Sequence, residues 1–111
     1  MIFLDTSGIF ALADSDDAMH HDANRMIAVA KDAGEQIMTH SYVLVESAAL
    51  LQNRLGLKIA LTFLEEAQQF HIVWITAETH AEGVSQLHRL GKSRLSLVDA
   101  ISFIVMKHEG I

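Results

Sequence analysis

The sequence has no cysteine and no proline. Without cysteine there is no disulfide framework and no thiolate metal site, which fits a reducing compartment. Proline-rich or low-complexity linkers and internal repeats are also missing, so the chain reads as one domain over residues 1–111. Basic residues are scarce: 8 Lys and Arg stand against 14 Asp and Glu, a formal charge of -6. Such a chain does not hold a nucleic-acid backbone by bulk charge, because that attraction comes from Lys and Arg. If it acts on phosphates, a bound metal ion or a local basic patch must supply the attraction. No apolar run reaches the roughly 18 residues that span a membrane, and the start lacks a charged leader. The expectation is a cytoplasmic protein that makes no use of a membrane.

What is present is a large apolar share. Half the residues are hydrophobic, enough for a globular core. The opening run Met1-Ile2-Phe3-Leu4 meets Asp5-Thr6-Ser7, as a strand buried on both faces does at its carboxyl end. That reading makes it a central strand of a parallel sheet. A helix is expected from about Ala18 to Lys31, with Met19, Ala23, Met26, Ile27 and Ala30 inward and Gly34 as its stop. His20 and His21 are adjacent rather than four apart, so they read as a solvated helix start and not as a metal pair. A short strand over Gln36–Thr39 is followed by a helix over Tyr42–Arg54 ended by Gly56. Leu57–Phe70 reads as a helix with Ala60, Leu61, Phe63, Leu64 and Ala67 inward. His71 opens a strand over Ile72–Ile75, and the Phe and Trp positions of these segments all read as core. Thr76 caps a helix whose stripe is Ala77, Ala81, Val84, Leu87 and Leu90, with Gly91 as its stop. Strands alternating with helices predict an α/β fold, a mostly parallel sheet flanked by helices.

Three acids stand out against this pattern, and each admits two readings. Asp5 is at a strand end, where ligands bind in open α/β sheets, and it is equally suited to cap the next helix. Glu46 lies inside Val43-Leu44-Val45-Glu46-Ser47-Ala48-Ala49-Leu50, an apolar helix. Carboxylates are rarely buried unless paired or metal-bound, so it is a rim residue or a ligand. Asp99 stands three residues after Ser96, the spacing of a capping box. The same position sets a carboxylate at the positive end of a helix, where it stays ionised beside a cleft.

The chain resembles the PIN-domain ribonucleases, in particular the small VapC-type toxins of toxin-antitoxin pairs. The resemblance rests on Phe3-Leu4-Asp5-Thr6-Ser7 with Leu12-Ala13-Asp14, on His20-His21-Asp22-Ala23, on Thr39 to Ser47, and on Leu95 to Phe103, in the family's order. It implies a three-layer PIN-like fold and a metal-dependent endoribonuclease. Residues matching the family's acids, Asp5, Glu46 and Asp99, are then expected to hold Mg2+ or Mn2+, with Thr6 or Ser7 in support. Oxygen ligands suit these hard cations. Family analogy further implies hydrolysis of RNA by a metal-activated water, leaving 5'-phosphate and 3'-hydroxyl ends, an antitoxin protein as partner, and a homodimer. Arg89, Lys92 and Arg94, just ahead of Asp99, are the best local patch for an RNA backbone; the other reading is ordinary solvated loop charge.

The sequence departs from the family pattern at its end. The family pattern goes on with a strand ending in a fourth acid, a short helix and a last strand, whereas these residues stop at Lys107-His108-Glu109-Gly110-Ile111. Glu109 comes too early to match the fourth acid. The expectation is a fold lacking the last family strands, with the first strand left as a sheet edge. A receiver-type phosphoacceptor is disfavoured because neither middle strand ends in Asp, and an Asp-x-Asp phosphatase because Ser7 holds the second acid's place. The alternative from another class is a catalytically incomplete PIN-like binding module, pairing with itself or with an antitoxin-like protein.

Overall fold

The computed structural model describes residues 1–111. In chain order the elements are β1 (Ile2–Phe3), α1 (Thr6–Ala13), α2 (His20–Asp32), β2 (Ile37–His40), α3 (Ser41–Leu55) and α4 (Leu57–Glu66). A 3-10 turn (Ala67–Gln69), β3 (His71–Val73), α5 (Ala77–Leu90) and α6 (Leu97–Glu109) complete it. The strands form one parallel sheet in the order β1-β2-β3, with Ile2 opposite Ile37 and Met38 opposite His71.

Side chains alternate across a strand, so neighbours in β2 serve different cores. Ile37 joins Leu4, Ile9, Val43, Leu51 and Phe63 on the face covered by α1, α3 and α4. Met38 joins Ile101 and Val105 of α6 on the other face. The result is a three-layer α/β arrangement.

All four residues of β2 are buried, whereas those of β1 are half-buried. The central strand is therefore β2, and β1 is an edge: its apolar run by itself reads as a central strand, whereas the edge position expected from the family resemblance is the one it holds. Apolar residues that face a helix layer look the same in sequence whether or not a further strand pairs beside them.

Several inward positions also turn outward. Trp74 follows β3 at the opposite edge and is 68% exposed. Met19 and Met26 are exposed because α2 turns only a narrow stripe containing Ala23, Ile27 and Ala30 towards the rest of the fold. Leu61 and Leu64 are exposed on α4, which turns Ala60 and Phe63 inward. The helix over Leu57–Phe70 ends at Glu66, and the 3-10 turn carries the chain on.

In α5 the buried point is Gly83, with Val84 and Leu87 half-buried beside it, while Ala77, Ala81 and Leu90 are exposed. A Cβ at Gly83 would stand 2.6 Å from Ile101 Cδ1. The absence of a side chain there is what lets α5 close on α6. Gly91 then ends α5 in the left-handed conformation, φ 58°, which glycine adopts without strain.

Candidate metal and active site

β1 ends at Phe3, two residues before Asp5. Asp5 caps α1: its Oδ1 accepts from the backbone N–H of Gly8 and from Ser7 Oγ, both at 2.9 Å. The capping geometry thus uses one oxygen and leaves Oδ2 without a protein partner. Thr6 Oγ1 donates to Glu46 Oε1 at 2.9 Å, which ties the start of α1 to the second turn of α3. Glu46 is exposed, at the rim of the sheet's carboxyl edge beside Val45.

Asp99 closes the expected capping box. Ser96 Oγ accepts from the Asp99 N–H and Asp99 Oδ2 accepts from the Ser96 N–H, each at 3.1 Å. As with Asp5, one carboxylate oxygen is held and the other is free.

Asp5 and Asp99 line one cleft of about 570 Å³, together with Gly8 and Ser102. Its floor and walls are apolar, among them Phe3, Met26 and Phe103. None of the three acids is paired with a base, for the ion pairs of the chain are the amino terminus with Glu35 and Arg25 with Asp22.

Beneath the acids, Thr39 and His40 end the buried strand. Thr39 Oγ1 donates to the carbonyl of Leu4 at 2.8 Å. His40 accepts from the Val43 N–H through Nδ1 at 3.3 Å, and its Nε2 meets Ser102 Oγ at 2.8 Å. Ser102 Oγ donates in turn to the Val98 carbonyl at 2.9 Å. His40 is wholly buried, and burial lowers its pKa to about 4.

The structure brings Asp5 and Asp99 to one cleft and links Glu46 to Thr6. It does not gather three of the chain's His, Asp and Glu side chains around one point close enough to share a metal ion. Arg89, Lys92 and Arg94 are exposed, from the last turn of α5 to the loop that leads into α6. His20 and His21 lie apart from the acids' cleft lining, and His20 Nδ1 contacts the Ala11 carbonyl at 2.9 Å.

The donor chemistry fits a hard divalent cation. All the donors are oxygens, and each carboxylate is anchored by one oxygen with the other open. Mg2+ retains several waters and uses one or two carboxylates, and Asp5 and Asp99 are two carboxylates lining one cleft. Thr39, His40 and Ser102, which lie next to the acids' backbone, were not singled out by the sequence. The available signals were a polar pair ending a buried strand and a lone serine inside Ala100-Ile101-Ser102-Phe103-Ile104.

A parallel α/β fold with unpaired acids at the carboxyl edge of its sheet defines the class. The PIN-domain family model matches residues 2–111. The 23S rRNA-specific endonuclease VapC20 of Mycobacterium tuberculosis, found in two strains, is 34% identical over 113 residues, covering 100% of this chain and 84% of that protein. The crystal structure of Mycobacterium tuberculosis VapC20, described as a Sarcin-Ricin loop cleaving toxin, superposes with a TM-score of 0.86 at 31% identity. That match covers 100% of this chain and 85% of the crystallised one. The chain belongs to the PIN-domain family, among its VapC-type members.

Proposed function

We propose that this chain is a metal-dependent endoribonuclease of the VapC type, with Asp5, Glu46 and Asp99 as its acids and RNA as its substrate. The observation that carries the reading is the pair of unpaired carboxylates, Asp5 and Asp99, on one cleft at the sheet's carboxyl edge. Asp5 and Asp99 would hold Mg2+ or Mn2+, and Glu46, linked to Thr6 beside Asp5, would be the third acid of the site. When bound, such an ion supplies a water of lowered pKa and polarises the phosphoryl oxygen. Thr6 orients Glu46, and Ser7 fixes the Asp5 carboxylate. Arg89, Lys92 and Arg94 hold the RNA backbone beside Asp99, a local attraction that a chain of charge -6 otherwise lacks.

The relatives named for 23S rRNA make 23S rRNA the first substrate to try. An RNA substrate sets the work in the cytoplasm, in line with a fold in which no helix is long and apolar enough to cross a membrane. Exposed Val45, Leu57 and Leu61 on α3 and α4 offer apolar surface for a homodimer or an antitoxin protein. The second reading, a binding module without catalysis, draws on the absence of any three acids around one point.

Calorimetric titration of Mn2+ beside the Asp99→Asn variant, followed by RNA cleavage assays, separates the two. Saturable binding lost in the variant, with Mn2+-dependent cleavage, upholds the nuclease. Absence of binding and of cleavage in the unchanged protein, with partner binding intact, favours the module.

A further inference from the structure

The central strand ends in two residues that each control a carbonyl lying immediately before an acid. Thr39 Oγ1 holds the Leu4 carbonyl, the residue before Asp5. His40 reaches the Val98 carbonyl, the residue before Asp99, through Ser102. His40 also caps α3, the helix that carries Glu46, and its ring stacks on Phe3 of β1 at a centroid distance of 5.9 Å. One buried imidazole therefore touches every element that delivers an acid.

The hydrogen bonds around it have a single consistent direction. Val43 N–H can only donate, so Nδ1 is the acceptor and Nε2 carries the hydrogen. Nε2–H donates to Ser102 Oγ, and the serine hydroxyl is left free to donate to the Val98 carbonyl. A neutral His40 satisfies all these positions, and its side chain meets no charged group.

We infer that His40 is a positioning residue for Asp99, acting through Ser102 to fix the first turn of α6 against the carboxyl edge of the sheet. The inference rests on the reading of Asp99 as a carboxylate of the metal centre. Thr39 does for Asp5, in one step, what His40 does for Asp99 in two. The two acids thereby take their separation from adjacent residues of one buried strand.

The imidazole has two separable jobs. His40→Asn keeps a capping acceptor for α3 but is too short for Ser102. His40→Gln keeps a donor that reaches Ser102 and weakens the cap. The measurements are amide exchange over Leu97–Ser102 in the metal-free protein and calorimetric Mn2+ affinity.

In His40→Asn, exchange over Leu97–Ser102 should rise about tenfold or more while Val43 stays protected. Mn2+ affinity should fall by about 10–100-fold, the usual effect of losing a group that orients a ligand. His40→Gln should keep α6 protection and affinity near those of the unchanged protein. Ser102→Ala, which improves helix propensity, should repeat the His40→Asn result and stands in for it if that variant does not fold.

Unaltered exchange and affinity in His40→Asn, or equal damage in His40→Gln, overturns the inference. If the unchanged protein takes up no Mn2+, the metal reading fails by itself, and the exchange pattern alone decides the role of His40.

Discussion

Thr6 and Glu46, forty residues apart, meet through a 2.9 Å hydrogen bond from the threonine hydroxyl to Oε1. The bond joins the residue after Asp5 to the one acid that the sequence set inside an apolar helix. Glu46 is exposed, so little but this contact restrains its side chain. Thr6→Ala should therefore lower Mn2+-dependent cleavage by about 10–100-fold. Folding stability should change by only about 1 kcal/mol, since the lost bond is exposed. Thr6→Ser should restore activity, and chemical denaturation beside the cleavage assay checks both.

Asp5 combines a cap and a proposed ligand in one carboxylate, and the two roles separate by substitution. Asparagine caps helices about as well as aspartate, so Asp5→Asn should stay within about 1 kcal/mol of the parent stability. Its cleavage of RNA should nonetheless be abolished. Asp5→Ala should lose both functions, with roughly 1 kcal/mol of further destabilisation. Cleavage by Asp5→Asn at the parent rate would remove Asp5 from the site.

Buried His40 predicts the acid response of the fold. Its pKa falls from 6.5 to about 4 because burial disfavours the imidazolium. Well above pH 6.5 the ring is neutral in both states and has no effect on the equilibrium. As the pH drops from 6.5 towards 4, only the unfolded chain takes up the proton, so stability falls with falling pH. The loss should approach roughly 3 kcal/mol near the lower limit. Urea unfolding across that range should show a smaller decline in His40→Gln, which has no proton to bind.

Gly83 sets the α5–α6 contact. Ile101 is completely buried, so its Cδ1 has no open space into which to retreat from a new Cβ at 2.6 Å. Overpacking of this kind costs about 1–3 kcal/mol, offset in part by the better helix propensity of alanine. Gly83→Ala should destabilise the protein by a net amount of roughly 1 kcal/mol. Adding Ile101→Val, which removes Cδ1, should recover part of that loss in a non-additive double-mutant cycle.

The basic loop makes a salt-dependent prediction. Lys92→Ala or Arg94→Ala should weaken RNA binding similarly across RNA sequences and reduce the salt slope by about 0.7–1. Arg89→Ala should act in the same way. Binding measured by fluorescence polarisation at several salt concentrations checks this, and an unchanged slope would assign the three charges to solvated surface.

The residues determined a good part of this protein without help from the fold. Thr76 and Gly91 delimit α5, Ser96 and Asp99 close the expected box on α6, and Gly56 caps α3, because caps and left-handed turns depend on a few adjacent residues. The parallel α/β class followed from the alternation of apolar periods, and the three acids were visible as misfits or strand-end polar residues. Tertiary structure decided what depends on neighbours distant in sequence. An apolar run does not reveal whether another strand pairs beside it: by itself the run of β1 reads as a central strand, and only the family resemblance led to the edge that the sheet has. Trp74, Met26 and Leu61 are apolar without being covered, since hydrophobicity records a capacity for burial and not the presence of a partner. The chain from His40 through Ser102 to Val98 spans residues 62 positions apart at its first step, a juxtaposition that only the packing of α6 on the sheet creates.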